Sequence, residues 1–343
     1  MQIAYEVLRL LSDGKFHSGT TLALNLKVSR SSIWKGISYL RKLEVDIQAV
    51  SGRGYRWGNP SELLNKKEII AALAPGAQSL FPRIDVLNVI TSTNDYLIQR
   101  LPSLSSGTVC TTEAQTAGKG RMGRSWRSPF GTNIYLSVYW RFPCKLHELS
   151  GLSLVVGIAI LESLKKMTPL PADLGIKWPN DIWYKGSKLC GILLESIGNT
   201  SALHQPFTEM VIGVGMNINM VKRDINNYQA NADVTFRQEV RTGALTDLSQ
   251  ILGFTPSRNQ IIGNMLNSLA NAFERFQRRG FADFAQEWAR YDLLTGKTVT
   301  LSSEHQAQVG VAQGVNERGE LCVKIGPTLK AIRYGDISVR PEE

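Results

Sequence analysis

The run Gly118-Lys119-Gly120-Arg121-Met122-Gly123-Arg124-Ser125-Trp126 carries three glycines and three cations, with Arg127 next in line and no acid among them. Glycine frees the backbone to bend and lets a ligand approach the main chain closely. Cations on such a loop suit a polyanion, a triphosphate first of all. The spacing also matches the dinucleotide fingerprint Gly-x-Gly-x-x-Gly, which works only where the loop opens a helix whose N-terminus holds the pyrophosphate. Here the loop runs into Ser125-Trp126-Arg127-Ser128-Pro129-Phe130-Gly131, broken by proline and glycine. That argues against a dinucleotide site, and no Gly-x-x-x-x-Gly-Lys-Ser/Thr occurs to make a Walker loop. An exposed basic turn stays open as the plainer alternative.

Further stretches hold polar residues that a purely structural loop does not need: Thr91-Ser92-Thr93-Asn94, Gln115 ahead of the basic loop, Lys177-Trp178-Pro179-Asn180-Asp181, and Lys188-Leu189-Cys190-Gly191. Lys188 stands just before an apolar strand, where a cation must reach solvent or meet an anion. A fixed lysine beside a cationic glycine loop fits attack on the α-phosphate of ATP, with positioned donors stabilising the charge that builds there. Asp181 and Asn180 follow Trp-Pro at a strand end. Asp181 could orient or deprotonate an incoming amine, or cap the following turn. No Ser/His/Asp order supports nucleophilic hydrolysis.

These residues must be positioned by a chain of 343 residues, enough for two or three domains. The formal net charge is +10, and residues 27–57 hold seven Lys or Arg against two acids, a concentration that favours a nucleic-acid partner. Cys110, Cys144, Cys190 and Cys322 form no Cys-x-x-Cys, and the four histidines form no pair at ligand spacing, so zinc is not expected. Free thiols imply a reducing compartment. With no basic segment ahead of an apolar one at the N-terminus, and a longest apolar stretch (152–161) too short for a bilayer, the expectation is a cytoplasmic protein without a membrane partner.

Helical periodicity covers 3–12, then a helix capped by Ser18, then one capped by Ser29 with Ile33, Ile37, Leu40 and Leu43 inward. Arg30, Ser31, Lys35, Ser38 and Lys42 are left facing outward on that third helix, and Arg30, Ser31, Ser32 and Lys35 are its candidate DNA-binding residues. Two short helices and a tight turn make a helix-turn-helix, whose outer face enters the major groove. Strands at 46–50 and 55–57 around Ser51-Gly52-Arg53-Gly54 form a wing that sets Arg53 and Arg56 near phosphates. Beyond Asn59-Pro60, strands are expected at 84–90, 108–113, 133–140, 174–178, 189–195 and 209–219, with helices at 95–100, 150–166, 258–279 and 284–291. The last fifty residues read as short strands forming a small β-barrel.

In their order and content these motifs make the chain, over essentially its whole length, resemble the bifunctional biotin protein ligases that also repress biotin synthesis. The resemblance rests on the winged helix-turn-helix, Ser92-Thr93-Asn94, Gln115, the Gly-x-Gly-Arg-x-Gly-Arg-x-Trp core, Lys177-Trp178-Pro179-Asn180-Asp181, Lys188-Leu189-Cys190-Gly191-Ile192-Leu193 and Gly213-Val214-Gly215-Met216-Asn217. It implies an α+β multidomain chain: a winged helix-turn-helix (1–62), a mixed α/β catalytic domain with a class II synthetase-like sheet (63–293) and a small SH3-like β-barrel (294–343).

It also implies that biotin and ATP, with Mg2+, give biotinyl-5′-AMP, and that biotin then passes to a lysine of the biotin carboxyl carrier protein of acetyl-CoA carboxylase. Loading with biotinyl-AMP would favour a homodimer that binds operator DNA. By the resemblance Ser92, Thr93, Asn94, Gln115, Lys119, Gly120, Arg121, Lys188 and Gly191 meet biotin. Gly118, Gly120, Arg121, Arg124, Trp126, Asn180, Lys188 and Asn217 meet the nucleotide, and Lys188, Arg121 and Asp181 act in catalysis. The basic loop becomes a flexible lid over the acyl-adenylate. Where the family usually has arginines, this chain has Lys119, which keeps charge without the planar fork, and Met122, which removes a cation.

Overall fold

The computed structural model describes residues 2–200, 207–220, 245–302, 307–333 and 338–341. At the N-terminus, α1 (Gln2–Leu10), α2 (Gly19–Leu26) and α3 (Arg30–Lys42) precede a hairpin of β1 (Ile47–Val50) and β2 (Gly54–Trp57). Ser18 Oγ accepts from the Thr21 amide and Ser29 Oγ from the Ser32 amide, so both helix starts are capped as their sequence predicts. Lys27, at φ 53°, ends α2 in a left-handed turn. Val7, Leu8, Leu11, Ile33, Ile37 and Leu40 close the small core. Tyr55 pairs its backbone with His17, an approach so tight that a Cβ on Gly54 would lie 2.1 Å from the His17 carbonyl oxygen.

Past α4 (Lys66–Ala71) and α5 (Pro75–Gln78), the catalytic unit is a seven-stranded sheet. Its strands are β3 (Ile84–Ile90), β4 (Val109–Gln115), β5 (Ile134–Phe142), β6 (Leu174–Lys177), β7 (Asp181–Tyr184), β8 (Ser187–Thr200) and β9 (Phe207–Met216), in the order β3-β4-β5-β9-β8-β7-β6. Only β3 and β4 run parallel, joined across α6 (Thr93–Ile98); every other pair is antiparallel. The sequence reading missed β7 and began β8 too late, so Lys188 lies inside a strand and not ahead of one.

Leu136, Val138, Ile192, Ile212 and Val214 point to the face that packs on α7 (Leu152–Lys165). After a short α8 (Leu248–Leu252), the long α9 (Arg258–Arg279) and then α10 (Ala285–Tyr291) cover the same face. The stretch Leu146–Lys165 is long and apolar enough to cross a membrane by length and composition, contrary to the shorter run read from sequence; 67% of its apolar 18-residue window is buried in this fold. It is a core helix.

The C-terminal unit is a five-stranded antiparallel sheet of β10 (Thr298–Ser302), β11 (Ala307–Val315), β12 (Leu321–Ile325), β13 (Thr328–Ile332) and β14 (Ser338–Pro341), the small all-β domain expected there. The sequence pattern predicts the last strand at 329–334, of which Tyr334 lies outside the described residues. Its turn at Arg318-Gly319 docks on the start of α7: Trp178 Nε1 donates to the Gly319 carbonyl at 3.0 Å, and Ser150 Oγ to that of Arg318 at 2.7 Å.

One buried ion pair ties the linker to this framework. Arg258 Nη2 meets Glu113 Oε2 at 2.8 Å with both side chains 3% exposed. Glu113 Oε1 accepts from the Leu64 amide, while Arg258 donates to the carbonyls of Asn133 and Glu62. A cation in the first turn of α9 opposes the helix dipole; here the carboxylate and two carbonyls compensate it. Arg258→Met strands the carboxylate and should lower stability by about 3–5 kcal/mol, read from the urea midpoint. Adding Glu113→Gln to the same chain should recover part of that loss.

Candidate active site

The second face of the central sheet carries glycines and polar residues at its centre, where the first is filled with aliphatic side chains. Register sets Thr112, Tyr135, Gly215, Gly191, Asp181 and Lys177 in one row across β4, β5, β9, β8, β7 and β6. The next row reads Cys110, Ser137, Gly213 and Leu193, and the one after it Tyr139, Val211 and Glu195. Three glycines thus meet on one face. A Cβ on Gly215 would come within 2.5 Å of the Trp126 indole, and one on Gly191 within 3.0 Å of the same ring. The ring sits directly against these two glycines, and its buried Nε1 has no hydrogen-bond partner.

A bulge delivers Lys188 to this floor. Trp183 pairs with Lys188 and Ile182 with Cys190, which leaves Leu189 as an extra residue in β8. That insertion turns Lys188 to the same face as Gly191 while Leu189 and Cys190 stay in the core. Lys188 Nζ lies 2.9 Å from Asp181 Oδ1 and 5.3 Å from the Trp126 ring centre. The contact is an ion pair and not a well-directed hydrogen bond, since Asp181 Oδ1 has no hydrogen-bond partner. Both groups are about four-fifths buried, at 22% and 19% side-chain exposure, so their attraction is less screened than at a surface.

The basic loop is a narrow hairpin. Trp126 N–H donates to Gly118 O at 2.8 Å and Gly120 N–H to Arg124 O at 2.7 Å. Met122 and Gly123 make the tip with φ of 55° and 71°. Gly118 is required by contact, because a Cβ there would sit 2.3 Å from the Trp126 carbonyl oxygen. Lys119 Nζ is held by Asp95 Oδ1 at 2.5 Å, which raises the lysine pKa, the hydrogen bond being the largest cause. Arg121 Nη1 donates to Asn180 Oδ1 at 3.1 Å, and Asn180 Nδ2 to the Ile192 carbonyl at 2.7 Å.

Opposite the loop, the N-terminus of α6 contributes a buried polar cluster. Ser92 Oγ caps the helix at the Asp95 amide. Gln115 Oε1 accepts from the Thr93 amide at 2.8 Å, and Gln115 Nε2 donates to Ser128 Oγ at 2.8 Å. Ser137 Oγ lies 2.7 Å from Thr93 Oγ1 and 2.5 Å from Asn94 Oδ1; Asn94 Nδ2 donates to Glu195 Oε2 at 2.6 Å. Asn94 rests on Gly213, where a Cβ would be 2.4 Å from its Oδ1.

The structure therefore brings together Ser92, Thr93, Asn94 and Gln115 at one end and Trp126, Asn180, Asp181, Lys188 and Gly191 at the other, with the 118–124 hairpin between. Asn217 is different: its Nδ2 donates to the carbonyls of Thr246 and Lys188, which fastens the chain after β9 to the following segment. Ser137 and Glu195 were missed by sequence reasoning, and Gly213 was picked out only as part of a motif, without a role. Ser137 and Glu195 look like ordinary strand residues until register places them. Among the described residues no cluster of three metal-ligating side chains occurs.

The winged domain has its own polar face. Arg30, Ser31 and Lys35 are exposed on α3, with Ser31 and Ser32 hydroxyls 2.7 and 2.9 Å from Ser29 Oγ. Trp34, also missed, is 61% exposed on that helix. Arg53 and Arg56 both lie over the Phe16 ring, at 4.4 and 5.0 Å, and Arg56 is further held by Gln48 Oε1.

A three-part architecture of helix-turn-helix, mixed sheet with a glycine-floored polar site, and small antiparallel domain defines a DNA-binding enzyme of the protein-ligase class. Residues 4–56 match an HTH domain, 86–217 the biotin/lipoate A/B protein ligase family, and 295–340 the biotin protein ligase C terminal domain. The chain belongs to the bifunctional ligase/repressor BirA family. It is 36% identical over 342 residues to the bifunctional ligase/repressor BirA of Escherichia coli K12, covering 99% of this chain and 98% of that one. The BirA of Bacillus subtilis is 28% identical, covering 95% and 94%. Among solved structures, the Aquifex aeolicus biotin protein ligase in complex with biotin and ATP matches with a TM-score of 0.62 at 26% identity, over 76% of this chain and all of that one (100%).

Gly213→Ala tests the close packing under Asn94. The methyl must displace a buried amide bonded at both its oxygen and its nitrogen, so stability should fall by about 1–3 kcal/mol. The thermal midpoint reads this, and Asn94→Ala in the same chain should relieve most of the added strain.

Proposed function

We propose that this protein joins biotin to ATP to form biotinyl-5′-AMP, passes biotin to a lysine of the biotin carboxyl carrier protein of acetyl-CoA carboxylase, and represses biotin synthesis when loaded. The observation that carries the reading is Lys188, paired with Asp181 over the Gly191–Gly215 floor beneath Trp126, in a chain that aligns along its whole length with ligase/repressors.

The chemistry follows from the two ends of the site. Biotin has an apolar body and a ureido ring that both donates and accepts. The glycine-lined sheet face suits the first; Ser92, Thr93, Asn94 and Gln115, with backbone groups of Lys119 and Gly120, suit the second. The carboxylate then lies toward Lys188 and Gly191. Its oxygen attacks the α-phosphorus and pyrophosphate leaves. Lys188 and Arg121 stabilise the charge that accumulates on the phosphate during the attack.

Asp181 keeps Lys188 aimed at the floor. Gly118, Gly120, Arg124 and Asn180 complete the cradle of the nucleotide, and the Trp126 ring offers a flat face to adenine. Asn217 secures the segment behind the adenine side. Mg2+ enters with ATP, since a hard ion of this kind is held chiefly by phosphate oxygens and water. In the second step the carrier lysine attacks the acyl carbon and AMP leaves.

The helix-turn-helix at the N-terminus fits an operator of two half-sites read by a homodimer loaded with biotinyl-AMP. Arg30, Ser31, Ser32 and Lys35 face the bases; Arg53 and Arg56, steadied on Phe16, face phosphates. Free cysteines, two of them buried, suit the reducing cytoplasm.

Incubation with biotin, MgATP and carrier domain should add one biotin per carrier by mass, and preference for lipoate over biotin would overturn the substrate. Lys188→Met should slow adenylate formation by about 100-fold or more in single-turnover measurements on the folded protein. Operator affinity should fall steeply with salt, and Arg53→Ala should reduce the salt slope by about one.

A further inference from the structure

Thr93, Ser137, Asn94 and Glu195 lie in one line of short contacts, at 2.7, 2.5 and 2.6 Å in turn. Thr93, Asn94 and Ser137 are buried, at 4%, 3% and 0% exposure, so their protons cannot be traded with bulk water freely. A carboxylate only accepts, so the Asn94 edge facing Glu195 must be its NH2. The other edge, Oδ1, can then only accept, and the single Ser137 proton is committed to it. Ser137 Oγ has no second proton for Thr93, so the proton between those two oxygens comes from Thr93. Gln115 Oε1, 3.2 Å from the same hydroxyl, keeps the Thr93 amide proton at 2.8 Å. Every link points toward Glu195, and Thr93 Oγ1 is left with lone pairs alone.

We propose that Glu195 is a positioning residue for the ureido group: its charge fixes the direction of this hydrogen-bond chain and makes Thr93 Oγ1 an acceptor for a ligand N–H. This rests on the assignment of Thr93 to the ureido ring. Charge at the far end also strengthens the acceptor, because each donated bond polarises the next. Gly213 is part of the device. Only a residue without Cβ lets the Asn94 amide lie flat on the sheet between Ser137 and Glu195. Without an acceptor at 195 the amide is free to turn over, and the chain loses its single direction.

The test compares biotin with the two carbamate analogues in which one or the other ureido N–H is replaced by oxygen, using adenylate formation by the full chain. Wild type should prefer biotin to at least one analogue by about a hundredfold, because the acceptor is left facing a lone pair. Glu195→Met should shrink that preference about tenfold by raising KM for biotin, with KM for ATP unchanged; Glu195→Gln, whose amide oxygen can still accept from Asn94 but which carries no charge and can also donate, should restore it only in part. Ser137→Ala cuts the chain one link nearer the ligand and should shrink the preference alike, which keeps the test valid if Glu195→Met fails to fold. A folded Glu195→Met or Ser137→Ala with the wild-type preference overturns the role of Glu195. Failure of wild type to adenylate biotin at all would instead overturn the functional reading on which it rests.

Discussion

Alternation of side chains across β5, β8 and β9 is the constraint on which the rest of this structure depends. Successive residues must point to opposite faces, so the strands that bury Leu136, Val138, Ile192, Ile212 and Val214 against α7 and α9 are obliged to present Ser137, Gly191, Gly213 and Gly215 on the other side. The filled face supplies cohesion; the glycine-lined face supplies room. Neither could be moved by one residue without exchanging the two. The bulge at Leu189 breaks that rule on the β7 side of β8, and it is there that the lysine is brought in.

Much of the fold was legible because it rests on local chemistry. Ser18 and Ser29 stand three residues before the amides they cap, and Gly280 follows the long helix that it stops. The glycine loop, the 91–94 stretch and Lys188 could be picked out because their residue types are unusual for plain strands and turns. Their mutual arrangement could not. Lys188 read as a cation ahead of a strand because a bulge has no signature beyond an apolar pair, Leu189-Cys190, that suits a strand equally well. Ser137 and Glu195 acquire a role only through partners 43 and 101 residues distant. Arg258 looked like a routine helix residue, and only the fold brings Glu113 against it.

The basic loop was expected as a lid, and its sequence of glycines supports bending. In the structure those glycines serve contact as much as flexibility: Gly118 admits the Trp126 carbonyl, and Gly120 pairs with Arg124. The cations divide their labour accordingly. Lys119 is spent on Asp95, at the end of the site nearer the polar cluster, and Arg121 reaches Asn180 at the other. Met122 stands at the turn with 54% of its surface in solvent, so the cation that the family usually has there would project outward from this tip.

Three consecutive residues of β4 answer to three unrelated neighbours. Glu113 takes the linker amide of Leu64 and the Arg258 guanidinium, Ala114 packs with Phe130 into the core of the winged domain, and Gln115 holds Thr93 and Ser128. Such a triplet has no slack. A single inserted or deleted residue here would hand the linker an alanine, the winged domain a carboxylate or an amide, and the polar cluster whatever came next. Lineages carrying this architecture should therefore tolerate length changes almost anywhere in the surrounding loops before they tolerate one at this point.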